Sequence, residues 1–374
     1  MYALSYASDP IYTYFLPLYL NNQGIDAATI TVLMSIGPFA ALFGLPVFGW
    51  VGDHARTKNN VLKFGILAGT LAMLLYRLST RVSFVFFVTA LFYFVKLPQH
   101  SLEDTIALEY YENDRNYGYI RLAGTVGYAL ASVLIGASAS TRIDSIFLLF
   151  VLFGGLNLIA VCFVPPVAGH GQSRKKLSFS ILGTQRELAL YIALGTIMQL
   201  PVGVYVSSFP IYYTASLGGT SKMLGWLLLV AAFAEIPFLF SQGQILARIG
   251  TKKALLFAAA ASSIRWLLTS FVVNPYAQMA VQGLQGISFI VMHCAVVSYI
   301  NENVPDELKA SGQAIYALFT VNLARILGNI AGSFIIRAWS IRAAFLCFSA
   351  LTMISVFVFA LMFRCKDKRA ENNA

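Results

Sequence analysis

The stretch VSFVFFVTALFYFVKLPQHSLEDTIAL, residues 82–108, reads as a membrane span except at four positions: Lys96, His100, Glu103 and Asp104. At 3.6 residues per turn these four share one helix face. Glu103 and Asp104 are consecutive and so point about 100° apart. A charged side chain at bilayer depth costs about 2.5–3.5 kcal/mol on insertion scales. Such groups persist where they face a bundle interior or a wet cavity, which marks a path for a solute or a proton. Arg121 opens the next apolar stretch and is the matching cation.

The chain of 374 residues is 58% hydrophobic and 11% charged, less than half the charged share of a soluble domain, about 25%. A span needs about 20 apolar residues. On that measure the sequence holds about twelve spans with short loops, an all-α integral membrane protein with no length left for a soluble domain. The first span starts almost at Met1, has no small-residue cleavage site and is too aromatic for a signal peptide. Whether residues precede it stays open.

The net charge of +10 resides in loops. Arg56, Lys58 and Lys63, then Arg174 to Lys176, Arg248 with Lys252 and Lys253, and Arg364 to Arg369 fall on one side if spans alternate. The positive-inside rule makes that side, and both termini, cytoplasmic, as in a multi-pass protein of an inner (cytoplasmic) membrane. Cys162, Cys294, Cys347 and Cys365 sit in apolar context without paired spacing. They read as packing residues, and no metal site or cofactor is expected. Nothing resembles a nucleotide-binding loop or a nucleophile–base pair, so an enzyme and a nucleic-acid binder are both disfavoured.

The sequence repeats weakly at a shift of 193–194 residues: Gly49 to Lys58 on Gly243 to Lys252, Pro17-Leu18-Tyr19 on Pro210-Ile211-Tyr212, and Gly118 on Gly312. Pro165-Pro166 and a Gly/Ser/basic stretch separate the copies. The expected layout is a six-helix bundle over 1–165, a cytoplasmic linker over 166–187 and a second bundle over 188–374. Parallel repeats of this kind bind their solute near the midplane between halves.

Gly49-Trp50-Val51-Gly52-Asp53-His54-Ala55-Arg56-Thr57-Lys58 resembles the loop between spans two and three of major facilitator transporters. That resemblance implies a gating latch made by Gly49, Asp53 and Arg56. Tyr117 to Tyr128, Ala234-Glu235-Ile236-Pro237, Arg265-Trp266, and Gln282 to Phe289 with His293 and Tyr299-Ile300 are similar to the branch of lactose permease-like, nucleoside and phenylpropionate proton symporters. The resemblance covers both halves. It implies that Asp104 and Arg121 hold polar groups of a solute, and that Glu235 couples solute to proton, with His293 beside it. It also implies a chain that works as a monomer, with protons as its coupling ion.

The residues add further candidates. Glu103, His100, Lys96, Gln285 and Arg325 join the solute-binding set, and Arg265 and Asp9 join the proton-coupling set. His100 is spaced to pair with Asp104 one turn on. Arg265 needs a partner, for which Glu235 or His293 serves. Asp9, before Pro10, is either a protonation site or a partner for Lys96. Asn322, Arg325 and Asn329 share a face. Lys96, Arg121, Arg265 and Arg325 hint at an anionic solute, but Asp9, Glu103, Asp104 and Glu235 equal them in number. The expected function is proton-coupled symport of a small polar organic solute (sugar, nucleoside or aromatic acid) by alternating access. The competing reading is a drug/proton antiporter working through Asp9. A third class, a membrane sensor, has no appended domain to support it.

Overall fold

The computed structural model describes residues 1–110, 114–169 and 180–372. The side chains of 110, 114–118, 180, 184 and 365–372 are outside that description. Arg174 to Lys176, with positions 170–179 of the expected linker, therefore lie outside the described residues. The side chains of Tyr117, Cys365 and Lys366 to Arg369 are outside the description too.

The described chain is all helix. Ten helices are long and apolar enough to cross a membrane, from Ala27–His54 to Ile341–Arg364. Two more helical stretches cover the expected first and third spans. One is Lys58–Leu75; the other is Tyr2–Ala7 followed by a π-helical turn, Ile11–Phe15, and Leu16–Asn22. The exterior is apolar: Phe39, Phe43, Trp50, Phe64, Phe240, Phe334 and Phe357 are exposed. Lys96, Gln99, Glu103, Asn157, Arg265, Gln278 and Gln282 are buried. This inversion is what a lipid solvent selects, because polar groups reach partners only inside the bundle.

The chain divides into two compact units. One is Met1–Arg174 with Val206–Leu229, the other Lys175–Tyr205 with Val230–Ala374. In the first, Ala27–His54 packs along Val82–Tyr110, Lys58–Leu75 packs on both Val82–Tyr110 and Ser145–Cys162, and Tyr2–Ala7 packs on Asp114–Thr141. The Val206–Leu229 segment joins this unit through the Thr31–Ser208 hydroxyl pair and a close approach of Gly225 to Gly136 and Ser132. In the second unit, Thr251–Phe271 packs on Ile341–Asn372 and Val291–Asn303.

Proline and glycine set the helix spacing. Pro98 lies inside Val82–Tyr110 and has no N–H for the carbonyl one turn back, that of Phe94. Gly44 of the neighbouring helix packs there: a Cβ on it would overlap the Phe94 carbonyl oxygen and stand 3.2 Å from the Pro98 ring. In the second unit a Cβ on Gly286 would overlap the Ala234 carbonyl oxygen, and one on Gly328 would overlap that of Leu200. Small residues are how membrane helices reach van der Waals contact.

Gly44→Ala therefore forces backbone apart in the middle of the first unit. It should cost about 1–3 kcal/mol and lower the melting temperature of the purified protein. Gly155→Ala, with open space around its Cβ, should melt with the wild type. Equal melting of both variants would contradict the packing described.

Candidate functional site

The polar groups form two networks, one in each unit. In the first, Asp9 stands at the break before the π turn Ile11–Phe15, where Pro10 removes one backbone donor. Wide turns of this kind concentrate at functional sites because they re-aim the side chains around them. Asp9 Oδ1 lies 3.6 Å from Lys96 Nζ, and Asp9 Oδ2 lies 3.1 Å from His100 Nε2. The other ring nitrogen, Nδ1, faces Glu103 Oε2 at 3.4 Å. Asn157 Nδ2 donates to Glu103 Oε1 at 3.5 Å. The Tyr6 ring covers His100 at 4.7 Å, and Lys96 sits over the Tyr12 ring at 5.7 Å.

Some expected pairings differ. His100 meets Glu103 and Asp9, not Asp104, because the Asp9 break lies on the Glu103 side of the helix. Asp104 instead accepts from the Tyr2 hydroxyl at 2.5 Å. Glu103 is fully buried, whereas Asp104 is half-buried and Arg121 exposed; the charges of both Asp104 and Arg121 act on the Tyr6 hydroxyl. Lys96 is 3% exposed and held against Asp9, so its charge is used inside the bundle.

In the second unit Arg265 is the hub. Its Nε and Nη2 donate to Gln282 Oε1 at 3.0 and 2.8 Å, and Nη2 also donates to Gln285 Oε1 at 2.8 Å. Gln285 Nε2 then donates to Glu235 Oε1 at 2.7 Å. The guanidinium lies over the Tyr205 and Trp266 rings at 4.9 and 4.5 Å, contacts that suit the planar, weakly hydrated ion. Gln282 Nε2 donates to Thr269 Oγ1. Gln278 Nε2 donates to the carbonyls of Thr269 and Val272. The expected partner Glu235 is thus reached through an amide. The Gly286 contact with Ala234 is what brings Gln285 alongside Glu235.

His293 bonds elsewhere: its Nδ1 lies 3.1 Å from the Tyr316 hydroxyl, and it stacks on Phe289. The π turn Gly286–Ile290 adds a residue to one turn, which shifts His293 in phase from the face of Gln282 and Gln285. Arg325 follows another π stretch, Ala317–Leu323, and is half-buried. Its carbonyl would stand 2.7 Å from a Cβ on Gly203.

At the C-terminal end of the helix Ala27–His54, Gly49 and Asp53 line a small cleft with Lys58, Pro98 and Ser101, and Arg56, in the turn that follows, is exposed. Lys58 pairs with Glu109. Asn59, which the sequence did not single out, donates to the carbonyls of Val164 and Pro165 and accepts from Val167 N–H. Asn157, Tyr2 and Tyr6 were missed as well. Asn157 was detectable as the lone amide of an apolar run. Among the described residues no group of His, Cys, Asp and Glu could hold a metal ion.

This constellation, polar networks inside apolar helices, is that of a membrane transporter rather than an enzyme. Residues 1–363 match the MFS_1 like family, and the chain belongs to that family, within the major facilitator transporters. It is 25% identical to the maltose permease of Geobacillus stearothermophilus, over 93% of this chain and 89% of that protein. It is 25% identical to the "Probable 3-phenylpropionic acid transporter" of Escherichia coli, over 82% of each. The fold matches the crystal structure of the nucleoside transporter NupG at TM-score 0.83 and 16% identity, with 97% of each chain covered. The chain is a multi-pass membrane protein of that transporter family.

Gln285→Leu removes the amide that links Arg265 to Glu235, and a buried polar group losing a partner costs about 1–3 kcal/mol. The variant should melt earlier than wild type, and Gln285→Glu, which restores a bond to Arg265, should recover part of the loss. Wild-type melting of Gln285→Leu would contradict the bridge.

Proposed function

We propose that the chain is a proton-coupled symporter for a small polar organic solute, a sugar, nucleoside or aromatic acid, with Glu235 as the coupling carboxyl. The observation that carries the reading is the chain Arg265–Gln285–Glu235. Arg265 holds Gln285 by its carbonyl, so the amide N–H must point at Glu235. Ionised Glu235 and Arg265 are then neutral as a pair. Protonation of Glu235 leaves the Arg265 charge uncompensated by that carboxylate, and a solute oxygen or carboxylate arriving beside it restores the balance. Solute and proton therefore favour each other's binding, which is the condition for coupled movement.

The solute classes follow the relatives, whose names refer to maltose, phenylpropionic acid and nucleosides. Asp104, Arg121, Glu103, His100, Lys96, Gln285 and Arg325 are the proposed solute-side groups. Of these, Arg121 is exposed, Asp104, His100, Gln285 and Arg325 are half-buried, and Lys96 and Glu103 are buried. Arg265 and His293 are proposed to assist Glu235, Asp9 to take part in proton coupling within the first unit, and Gly49, Asp53 and Arg56 to gate. The protein is proposed to act as a monomer in the inner membrane, with both termini cytoplasmic.

Export is the second reading. Sugar efflux transporter C of Escherichia coli is 25% identical over 48% of this chain. Proton movement on adding sugars, nucleosides or aromatic acids to proteoliposomes decides the direction. The symport reading expects a solute that makes the outside alkaline; in Glu235→Gln this should vanish while solute exchange persists. Protons driven outward by any solute, or full coupling in Glu235→Gln, would overturn it.

A further inference from the structure

The His100 imidazole is bracketed by carboxylates on both sides, with Nε2 3.1 Å from Asp9 Oδ2 and Nδ1 3.4 Å from Glu103 Oε2. A neutral imidazole carries one N–H, and its other nitrogen is an acceptor. It can serve one carboxylate; toward the other, lone pair faces lone pair. Both ring nitrogens, Asp9 Oδ1 and Glu103 Oε2 are buried without a hydrogen bond of ordinary geometry. A second proton, on the ring or on the facing carboxyl, converts the repulsive contact into a donor–acceptor one.

The charge count gives the same answer. The groups facing His100 are Asp9 from the first helical stretch and Lys96 and Glu103 from its own helix. Tyr12 and Lys96 also act on Asp9, and the Met1 amino group acts on Glu103. Asn157 reaches Glu103 from Ser145–Cys162, and the Tyr6 ring, itself under the charges of Arg121 and Asp104, covers the imidazole. With Lys96 as a cation, the imidazolium balances the two carboxylates; with a neutral ring, Asp9, Glu103 and Lys96 sum to one negative charge in low dielectric, left to the Met1 amino group to offset. A small void lined by Ser8, Thr70, Lys96, Gln99 and Asn157, and on its other walls by Leu4, Ile66, Phe150 and Phe153, adjoins it.

We propose that Asp9, His100 and Glu103 form a binding site for one exchangeable proton inside the first unit, separate from Glu235. The site extends the proton-coupled reading to a second group, but its proton occupancy is measurable without any solute.

The test is nitrogen NMR of histidine-labelled protein in lipid nanodiscs, from about pH 5 to about pH 10. His100 is identified by the signal lost in His100→Gln; if that variant does not fold, the signal displaced in Glu103→Gln identifies it. The His100 ring should pass reversibly between two N–H groups and one within that range. Asp9→Asn should displace the transition by about one pH unit or more. A single N–H on His100 throughout, a transition that Asp9→Asn leaves in place, or two protons held to the alkaline limit as a fixed charge would each overturn the proposal. Failure here with proton coupling lost in Glu235→Gln leaves the symport reading standing. A titrating His100 with coupling intact in Glu235→Gln removes Glu235 and leaves this site.

Discussion

Every feature of the interior follows from the free energy of holding charge away from water. An isolated ion inside a membrane protein costs several kcal/mol, and only close, well-oriented partners offset it. Lys96 meets Asp9, His100 lies between Asp9 and Glu103, and Arg265 meets two glutamine oxygens and two aromatic faces. Neither network is a simple ion pair. Each sets a carboxylate within reach of a cation, directly for Asp9 and Lys96 and through the Gln285 amide for Glu235 and Arg265.

The backbone makes these arrangements reachable. Pro98 and Gly44 let two helices touch beside the Lys96 stripe, and Gly286 lets Gln285 reach Glu235. The π turns after Pro10 and Gln285 re-aim the side chains next to them. Helix spacing and helix phase, set by residues with no charge, decide which polar groups become partners.

That division explains what could be read in the sequence. Lys96, His100, Glu103, Glu235 and Arg265 stand out in apolar runs, so the transporter class was legible from residue pattern, as were the helical architecture and the family. The partners were not. A 3.6-residue period assumes regular helices; it paired His100 with Asp104, whereas in the structure His100 lies between Asp9 and Glu103. Gln285 as a link between Arg265 and Glu235 depends on a contact between distant segments, which no local pattern carries. Asn59 and Asn157 act through the same long-range contacts.

The central claim is that buried charges are held in balance within the first unit, and a double-mutant cycle on Asp9 and Lys96 tests it most directly. Unfolding of Asp9→Asn, Lys96→Met and the double variant would be followed in the same detergent. Each single change should cost about 3–5 kcal/mol by leaving an uncompensated charge, and the double variant should recover much of that loss. Strictly additive costs would contradict the account.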